Sequence, residues 1–121
     1  MPHLTVDYTA NLAPTRPADL LPRLNRCLVD SGLFAEADIK CRAVRLDEWC
    51  IGTADPANEA RAFVHARLAV LRSRATGVRR RVAESLLAAL RADWPAPAGC
   101  AAQWCVEVIE IDGDTYVKES P

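Results

Sequence analysis

Proline at the second position is the residue of this 121-residue chain most able to do chemistry. If the initiator methionine is removed, Pro2 becomes a free secondary amine at the start of the protein. Such an amine in a cationic pocket can act as a general base. A proline at the start of a first strand is also sterically acceptable with no catalytic role. The rest of the sequence must therefore decide between these two interpretations.

The elements that would position Pro2 follow from hydrophobic periodicity. Residues 2–9 alternate as a half-buried strand, and a helix is predicted from about Ala18 or Asp19 to the stop signal Gly32. A second strand is predicted over 39–52, a polar connection over 53–60 and a third strand over 63–71. A second helix is predicted from Arg74 to Trp94, a fourth strand over 103–111, and then a short tail that adds a strand or an arm.

This order predicts one α/β (α+β) domain over residues 1–121, made of two βαβ units at about 2–55 and 60–115. Each unit should be a right-handed crossover between parallel strands. Together they form a four-stranded mixed sheet with two helices on one face. The opposite face is expected to keep apolar residues and to be buried against other copies of the chain.

Cations from three distant segments should meet at the edge of the sheet where Pro2 lies. With strands one and three antiparallel and strands one and two parallel, the start of strand two and the end of strand three reach the same edge. The residues delivered there are Lys40, Arg42, Arg72 and Arg74. Arginine offers a planar fork of donors that fits carboxylates. Surrounding positive charge and burial both disfavour protonation of an amine, so the sequence predicts a neutral base beside an anion-binding site.

Composition excludes several other classes of protein. A net charge of −1 argues against a general nucleic-acid binder. No apolar run is long enough to span a membrane, and no signal peptide is visible, so we expect a cytoplasmic protein. Five cysteines and two histidines match no common metal-ligand spacing, which predicts thiols in a reducing compartment and no metal.

Four stretches of this sequence resemble the 5-carboxymethyl-2-hydroxymuconate isomerase family of the tautomerase superfamily. They are the opening PHL-V, the segment SGLFAEADIKCR, the run AFVHARLAVLRSR and the ending EVIEIDGDTYVK. The resemblance implies a homotrimer that needs no cofactor, with Pro2 as the general base. It also implies a proton shift within an unsaturated 2-hydroxy/2-oxo dicarboxylate, in the breakdown of homoprotocatechuate.

The resemblance carries over to particular positions with two departures. Pro2, Arg42 and Arg74 match the family, whereas Lys40 replaces an arginine and RSRA replaces a GRS segment around Arg74. Lysine keeps the charge but loses the two-point grip on a carboxylate. We therefore expect Lys40, Arg42 and Arg74 to bind substrate, with His3 and Arg72 as further candidates, and the departures leave the substrate open.

Two other functions remain compatible with the sequence. The first is a superfamily hydratase or decarboxylase that uses a protonated Pro2 on a small acid, for which only Glu107 and Glu110 suggest themselves as acidic partners. The second is a non-catalytic binding subunit that keeps the fold for its oligomer. Retention of Met1 would remove the amine and exclude both enzyme functions.

Overall fold

The computed structural model describes residues 1–53, 57–72 and 74–121, and these contain two βαβ units in one sheet. The strands are β1 (His3–Thr9), β2 (Lys40–Leu46), β3 (Arg61–Leu71) and β4 (Ala101–Ile111). The helices are α1 (Leu20–Asp30) and α2 (Thr76–Asp93), and short 3-10 turns occupy Pro17–Asp19, Glu36–Asp38 and Ala57–Ala60. The predicted fold class is confirmed.

The sheet has the order β2–β1–β3–β4 and is mixed. β1 is parallel to β2 and antiparallel to β3, and β3 is parallel to β4. In register, His3 lies between Lys40 of β2 and Ala69 of β3. The start of β1, the start of β2 and the end of β3 therefore share one edge, as the sequence predicts.

Both helices pack on one face of the sheet and bury a continuous apolar core. On β1 the inward residues Leu4 and Val6 are fully buried. Each helix contributes a leucine-rich stripe with a spacing of four residues, which brings one face of a helix to the core. The stripes are Leu20, Leu24 and Leu28 in α1, and Val82, Leu86 and Leu90 in α2.

The face of the sheet opposite the helices, here called the open face, carries the alternate side chains of each strand. Its apolar residues include Val44 and Ile109, which are 44% and 39% exposed. Its centre is polar rather than apolar: Arg67 Nε lies 2.8 Å from Glu107 Oε1, and His65 Nε2 lies 3.7 Å from Glu107 Oε2. The open face therefore keeps apolar residues, as expected, while the centre of β3 and β4 holds the Arg67–Glu107 ion pair.

Element boundaries differ from the sequence predictions where pairing partners end. β2 stops at Leu46 rather than residue 52 because its neighbour β1 stops at Thr9, which is paired with Leu46. β3 and β4 each begin two residues early because Arg61 and Ala101 pair with each other. α2 begins at Thr76 rather than residue 74, since the backbone of Ala75 is extended.

The connection and the tail predicted from sequence have different outcomes. Residues 54–56 of the connection predicted at 53–60 lie outside the described residues, as does Ser73. The tail forms an arm rather than a strand: Tyr116 bonds to His3, and Lys118 pairs with Asp38. Gly32 ends α1 with φ of 74°, a conformation that favours glycine.

Candidate active site

A cavity of about 240 Å³ opens at the start of β1, where the ends of several elements meet. Its lining residues come from the chain start, the segment after α1, the end of β3 and the loop before α2. They are Met1, Pro2, Leu33, Phe34, Ala35, Asp38, Val70, Leu71 and Arg74. Pro2 directly precedes β1 and lies on the same side of the chain as Leu4, and its fully buried ring is part of the lining of this cavity.

A larger groove of about 510 Å³ runs between α1 and α2. Its charged residues include Arg23 and Asp93, which bond to each other with Arg23 Nη2 2.6 Å from Asp93 Oδ1. The smaller cavity, in contrast, contains the amino-terminal residues and the guanidinium of Arg74. We therefore take the smaller cavity as the candidate active site.

The backbone of Pro2 is held by the strand next to it. Its carbonyl oxygen accepts a hydrogen bond of 3.1 Å from the backbone N–H of Lys40, and the following residue, His3, is paired on both sides. The sheet thus fixes the position of the Pro2 backbone, including its nitrogen.

The charge environment at the chain start favours an unprotonated amine. The nitrogen of Met1 lies 3.7 Å from Asp38 Oδ2. Its pKa is below the ordinary value, chiefly because burial penalises the charged form. Asp38 acts in the opposite direction and raises this pKa, while the positive charges of Lys40 and Lys118 lower it.

Arg74 is held at the cavity by contacts with the segment after α1. Its Nη2 donates a hydrogen bond of 2.7 Å to the carbonyl of Leu33, and its guanidinium carbon lies 5.2 Å from the centroid of the Phe34 ring. Arg79 Nε donates to the Arg74 carbonyl at 3.2 Å. The structure thus brings together two of the predicted site residues, Pro2 and Arg74, as linings of one cavity.

Three other predicted site residues lie on the open face or at its edge. The side chain of Arg42 projects there beside Thr5, its partner in register, and Lys40 Nζ donates to the carbonyl of Asp38 at 3.0 Å. His3 Nε2 lies 2.9 Å from the hydroxyl oxygen of Tyr116. Burial lowers the pKa of His3, and Lys40 and Arg42 lower it further. Within one chain, none of these three side chains lines the cavity.

Arg72, the remaining predicted site residue, lies outside the cavity in an ion pair. Its Nε is 3.0 Å from Glu110 Oε2, and Arg79 Nη1 is 3.2 Å from the other oxygen of the same carboxylate. Glu110 therefore has two cationic partners. Among the described residues that line the cavity, Arg74 is therefore the one arginine, and Arg72 is not part of the lining.

Sequence reasoning missed two residues of this site. Phe34 packs against the core and also forms part of the cavity wall, where its ring lies beneath the guanidinium of Arg74. Asp38 also lines the cavity, whereas the two acidic candidates from the sequence, Glu107 and Glu110, do not. Glu107 lies on the open face, where Arg67 Nε is 2.8 Å from its Oε1 and lowers its pKa. Asp38 could have been found because it lies two residues before β2, whose start is at the Pro2 edge.

The described residues add two observations about metals and membranes. In 1–53, 57–72 and 74–121, no group of three or more His, Cys, Asp or Glu side chains has the geometry to hold a metal ion. Neither of the helices in this part of the chain is long and apolar enough to cross a membrane.

Two βαβ units share one mixed sheet, and a buried proline at residue 2 lies beside a cavity, as the resemblance seen in the sequence implies. The family model described as 5-carboxymethyl-2-hydroxymuconate isomerase matches residues 2–120. The chain belongs to this family, and the resemblance seen in its sequence is confirmed. A comparison with curated proteins finds no match.

Solved structures agree with this assignment. A 5-carboxymethyl-2-hydroxymuconate isomerase from Deinococcus radiodurans R1 is 31% identical, with a TM-score of 0.85 over 99% of this chain and 90% of that one. A 5-carboxymethyl-2-hydroxymuconate delta-isomerase is 20% identical, with a TM-score of 0.68 over 100% and 89%. A fused 4-OT described as a symmetric trimer shares the fold at 14% identity, with a TM-score of 0.71 over 97% and 93%.

Proposed function

We propose that this protein is a cofactor-independent isomerase that shifts a proton within an unsaturated 2-hydroxy/2-oxo carboxylate. Family membership supports the reaction class, and the name of the family suggests 5-carboxymethyl-2-hydroxymuconate, from homoprotocatechuate breakdown, as the substrate. The single observation that carries the proposal is that Pro2 and Arg74 line the same cavity.

In this proposal, removal of Met1 makes the Pro2 nitrogen a free secondary amine. The unprotonated amine takes a proton from the enol hydroxyl or the allylic carbon and returns it to a different carbon. Burial and nearby positive charge lower the pKa of the Met1 nitrogen, and the same surroundings would keep the Pro2 amine available as a base. A base whose pKa lies near the working pH accepts and returns a proton with the least penalty.

Arg74 would bind a substrate carboxylate and stabilise the dienolate that forms as the proton leaves. Its hydrogen bond to Leu33 and its contact with Phe34 hold the guanidinium before substrate arrives. A donor that is already oriented needs little reorganisation when negative charge develops, and this lowers the barrier. Phe34 and Leu33 supply apolar wall for a conjugated carbon chain.

Lys40 and Arg42 would complete the site through a homotrimer. Both residues belong to the edge strand β2, and the exposed apolar residues Val44 and Ile109 lie on the open face. Contact between copies on this face would bury those side chains and carry the cations of β2 towards a neighbouring cavity. The symmetric trimer reported for a protein of the same fold supports this arrangement.

The test separates the amine from the rest of the site. Intact mass spectrometry establishes whether Met1 is absent, and kcat/KM is measured on a panel of dicarboxylate and monocarboxylate enols. Insertion of Leu between Met1 and Pro2 retains the methionine and converts the Pro2 nitrogen into an amide. We expect this variant to lose at least about 100-fold in kcat/KM, the typical contribution of a general base.

Two further variants control this experiment. Pro2→Ala keeps a primary amine at the same position and should lose less activity than the insertion. Pro17→Ala changes an exposed proline in the turn before α1 and should leave activity unchanged. Full activity of the inserted variant, with its oligomeric state intact, would exclude Pro2 as the base.

A hydratase or decarboxylase acting on a small acid is the second candidate. The observation that favours it is the carboxylate of Asp38 in the same cavity as Pro2, since such reactions call for an acidic residue to activate water. Three-carbon acids in the same panel distinguish the two activities. Turnover of none of these compounds, together with a stable oligomer, would favour the non-catalytic binding subunit.

A further inference from the structure

The carboxylate of Asp38 is shared between the start and the end of the chain. Its Oδ2 lies 3.7 Å from the nitrogen of Met1, and its Oδ1 lies 3.2 Å from Lys118 Nζ. Asp38 belongs to the 3-10 turn before β2, while Lys118 belongs to the segment after β4. One carboxylate thus connects the terminal amine with a lysine from the opposite end of the sequence.

The C-terminal segment is held in this position by a second contact. Tyr116 bonds through its hydroxyl to His3 Nε2 at 2.9 Å, and the two rings are tilted with centroids 6.0 Å apart. A turn precedes this contact, in which the backbone N–H of Thr115 donates to the carbonyl of Asp112 at 3.2 Å. Residues 112–118 therefore return the chain to the start of β1.

We propose that Asp38 and Lys118 together set how readily the Pro2 amine takes up a proton, so that the C-terminal segment is part of the active site. This inference rests on the proposed function of Pro2 as the base. Removal of Met1 moves the free amine one residue along, within the cavity that Asp38 also lines. Both residues act through the amine and are positioning residues, not catalytic ones.

The two residues act on the amine in opposite directions. At the Met1 nitrogen, the negative charge of Asp38 raises the pKa and the positive charge of Lys118 lowers it. The same charges would act in the same directions on a free amine at Pro2. The hydrogen bond from Lys118 is the largest cause that lowers the pKa of Asp38, so this carboxyl is ionised at neutral pH. Lys118 thereby offsets the charge that would otherwise keep the amine protonated.

The other charged groups around the amine come from three elements. Lys40 of β2 lowers the pKa of the Met1 nitrogen. His3 of β1 is the residue after Pro2, and Arg74 lines the same cavity as Pro2. None of these three side chains is acidic. Among the described residues that line the cavity, Asp38 is therefore the one with an acidic side chain. Its ion-pair partner from the C-terminal segment is Lys118.

The experiment follows the amine directly in the full-length protein after removal of Met1. Protein labelled with ¹⁵N-proline is titrated, and the Pro2 nitrogen resonance is recorded for wild type, Asp38→Asn and Lys118→Met. We expect the titration midpoint to move to lower pH in Asp38→Asn and to higher pH in Lys118→Met, each by about half a pH unit or more. The acidic limb of the kcat/KM profile should move in the same directions.

Matched controls change the same charges elsewhere. Glu84→Gln and Arg80→Met break an exposed ion pair on α2, where Arg80 Nε lies 2.9 Å from Glu84 Oε1. These variants should leave the Pro2 titration unchanged. Thermal unfolding and hydrodynamic size verify that each variant is folded, and the exposed position of Lys118 makes its variant informative even if Asp38→Asn does not fold.

The outcomes separate this inference from the proposed function. The inference would be overturned if the Pro2 titration midpoint moved in the same direction in Asp38→Asn and Lys118→Met. It would also be overturned if the midpoint in Lys118→Met matched that of the controls. If the opposed shifts appear while no enol is turned over, the pair stands and the isomerase function falls. If enols are turned over by a Pro2-dependent reaction without the shifts, the function stands and the inference falls.

Discussion

The guanidinium carbon of Arg74 lies 5.2 Å from the centre of the Phe34 ring, while its Nη2 donates to the carbonyl of Leu33 at 2.7 Å. These contacts join the segment that follows α1 to the loop that precedes α2. An arginine face on an aromatic ring is favourable, and a partly buried pair gains more than an exposed one. The contact orients a cation at the cavity that Pro2 also lines, and this geometry supplies the first prediction.

Replacement of Arg74 by Met should weaken binding of carboxylate substrates. The loss of a hydrogen bond to a charged group costs about 1.5–3 kcal/mol, which corresponds to a rise in KM of roughly 10- to 100-fold. Steady-state kinetics on a dicarboxylate enol measure this effect. Arg74→Lys keeps the charge without the planar fork and should recover part of the loss, whereas an unchanged KM in Arg74→Met would contradict the role of this residue.

The hydroxyl of Thr9 makes a buried bond that continues the pairing of β1 with β3. Its Oγ1 accepts from the backbone N–H of Phe63 at 3.2 Å, and Thr9 is fully buried. Thr9→Val keeps the shape but leaves that N–H without its partner, so the free energy of unfolding should fall by about 1–3 kcal/mol. Urea unfolding measures the change. Thr9→Ser keeps the hydroxyl and should cost less, and a loss in Thr9→Ser as large as that in Thr9→Val would contradict a dominant role for this hydrogen bond.

Asp19 should make the stability of the protein depend on pH in the acid range. Its hydrogen bond to Arg16, followed by that to Arg23, lowers its pKa to about 2. In an unfolded chain the same carboxyl titrates at about 3.9. The folded state therefore binds this proton less readily, and the stabilisation is present above about pH 4 and is lost as the pH falls towards 2.

The measurement for Asp19 compares melting temperatures of wild type and Asp19→Asn across this range. The wild type should melt at higher temperature near pH 6, and the two curves should converge towards pH 2. Asp47→Asn is the matched control, since Asp47 and its partner Arg45 have side chains that are 80% and 63% exposed and should contribute little. A difference between wild type and Asp19→Asn that persists at pH 2 would contradict this assignment.

The fold could be predicted from sequence because local patterns are sufficient to define its elements. Leu4 and Val6 alternate on β1, and the leucines of α1 recur at the helical spacing, so the sequence of each element indicates which of its faces is buried. The predicted ends of the strands were less accurate than their positions, because the length of β2 depends on where its partner β1 stops. The sharing of one edge by β1, β2 and β3 also followed, because it depends only on strand direction.

The sequence by itself thus determined the βαβ repeat, the single mixed sheet and the nearness of Pro2 to the start of β2. Only the tertiary structure decided which side chains face the cavity: it placed Phe34 and Asp38 there, and turned Arg42 to the open face. It also brought Lys118 to Asp38 across eighty positions of sequence. Periodicity reports which face of its own element a residue occupies, whereas contacts between elements depend on packing that no local pattern encodes.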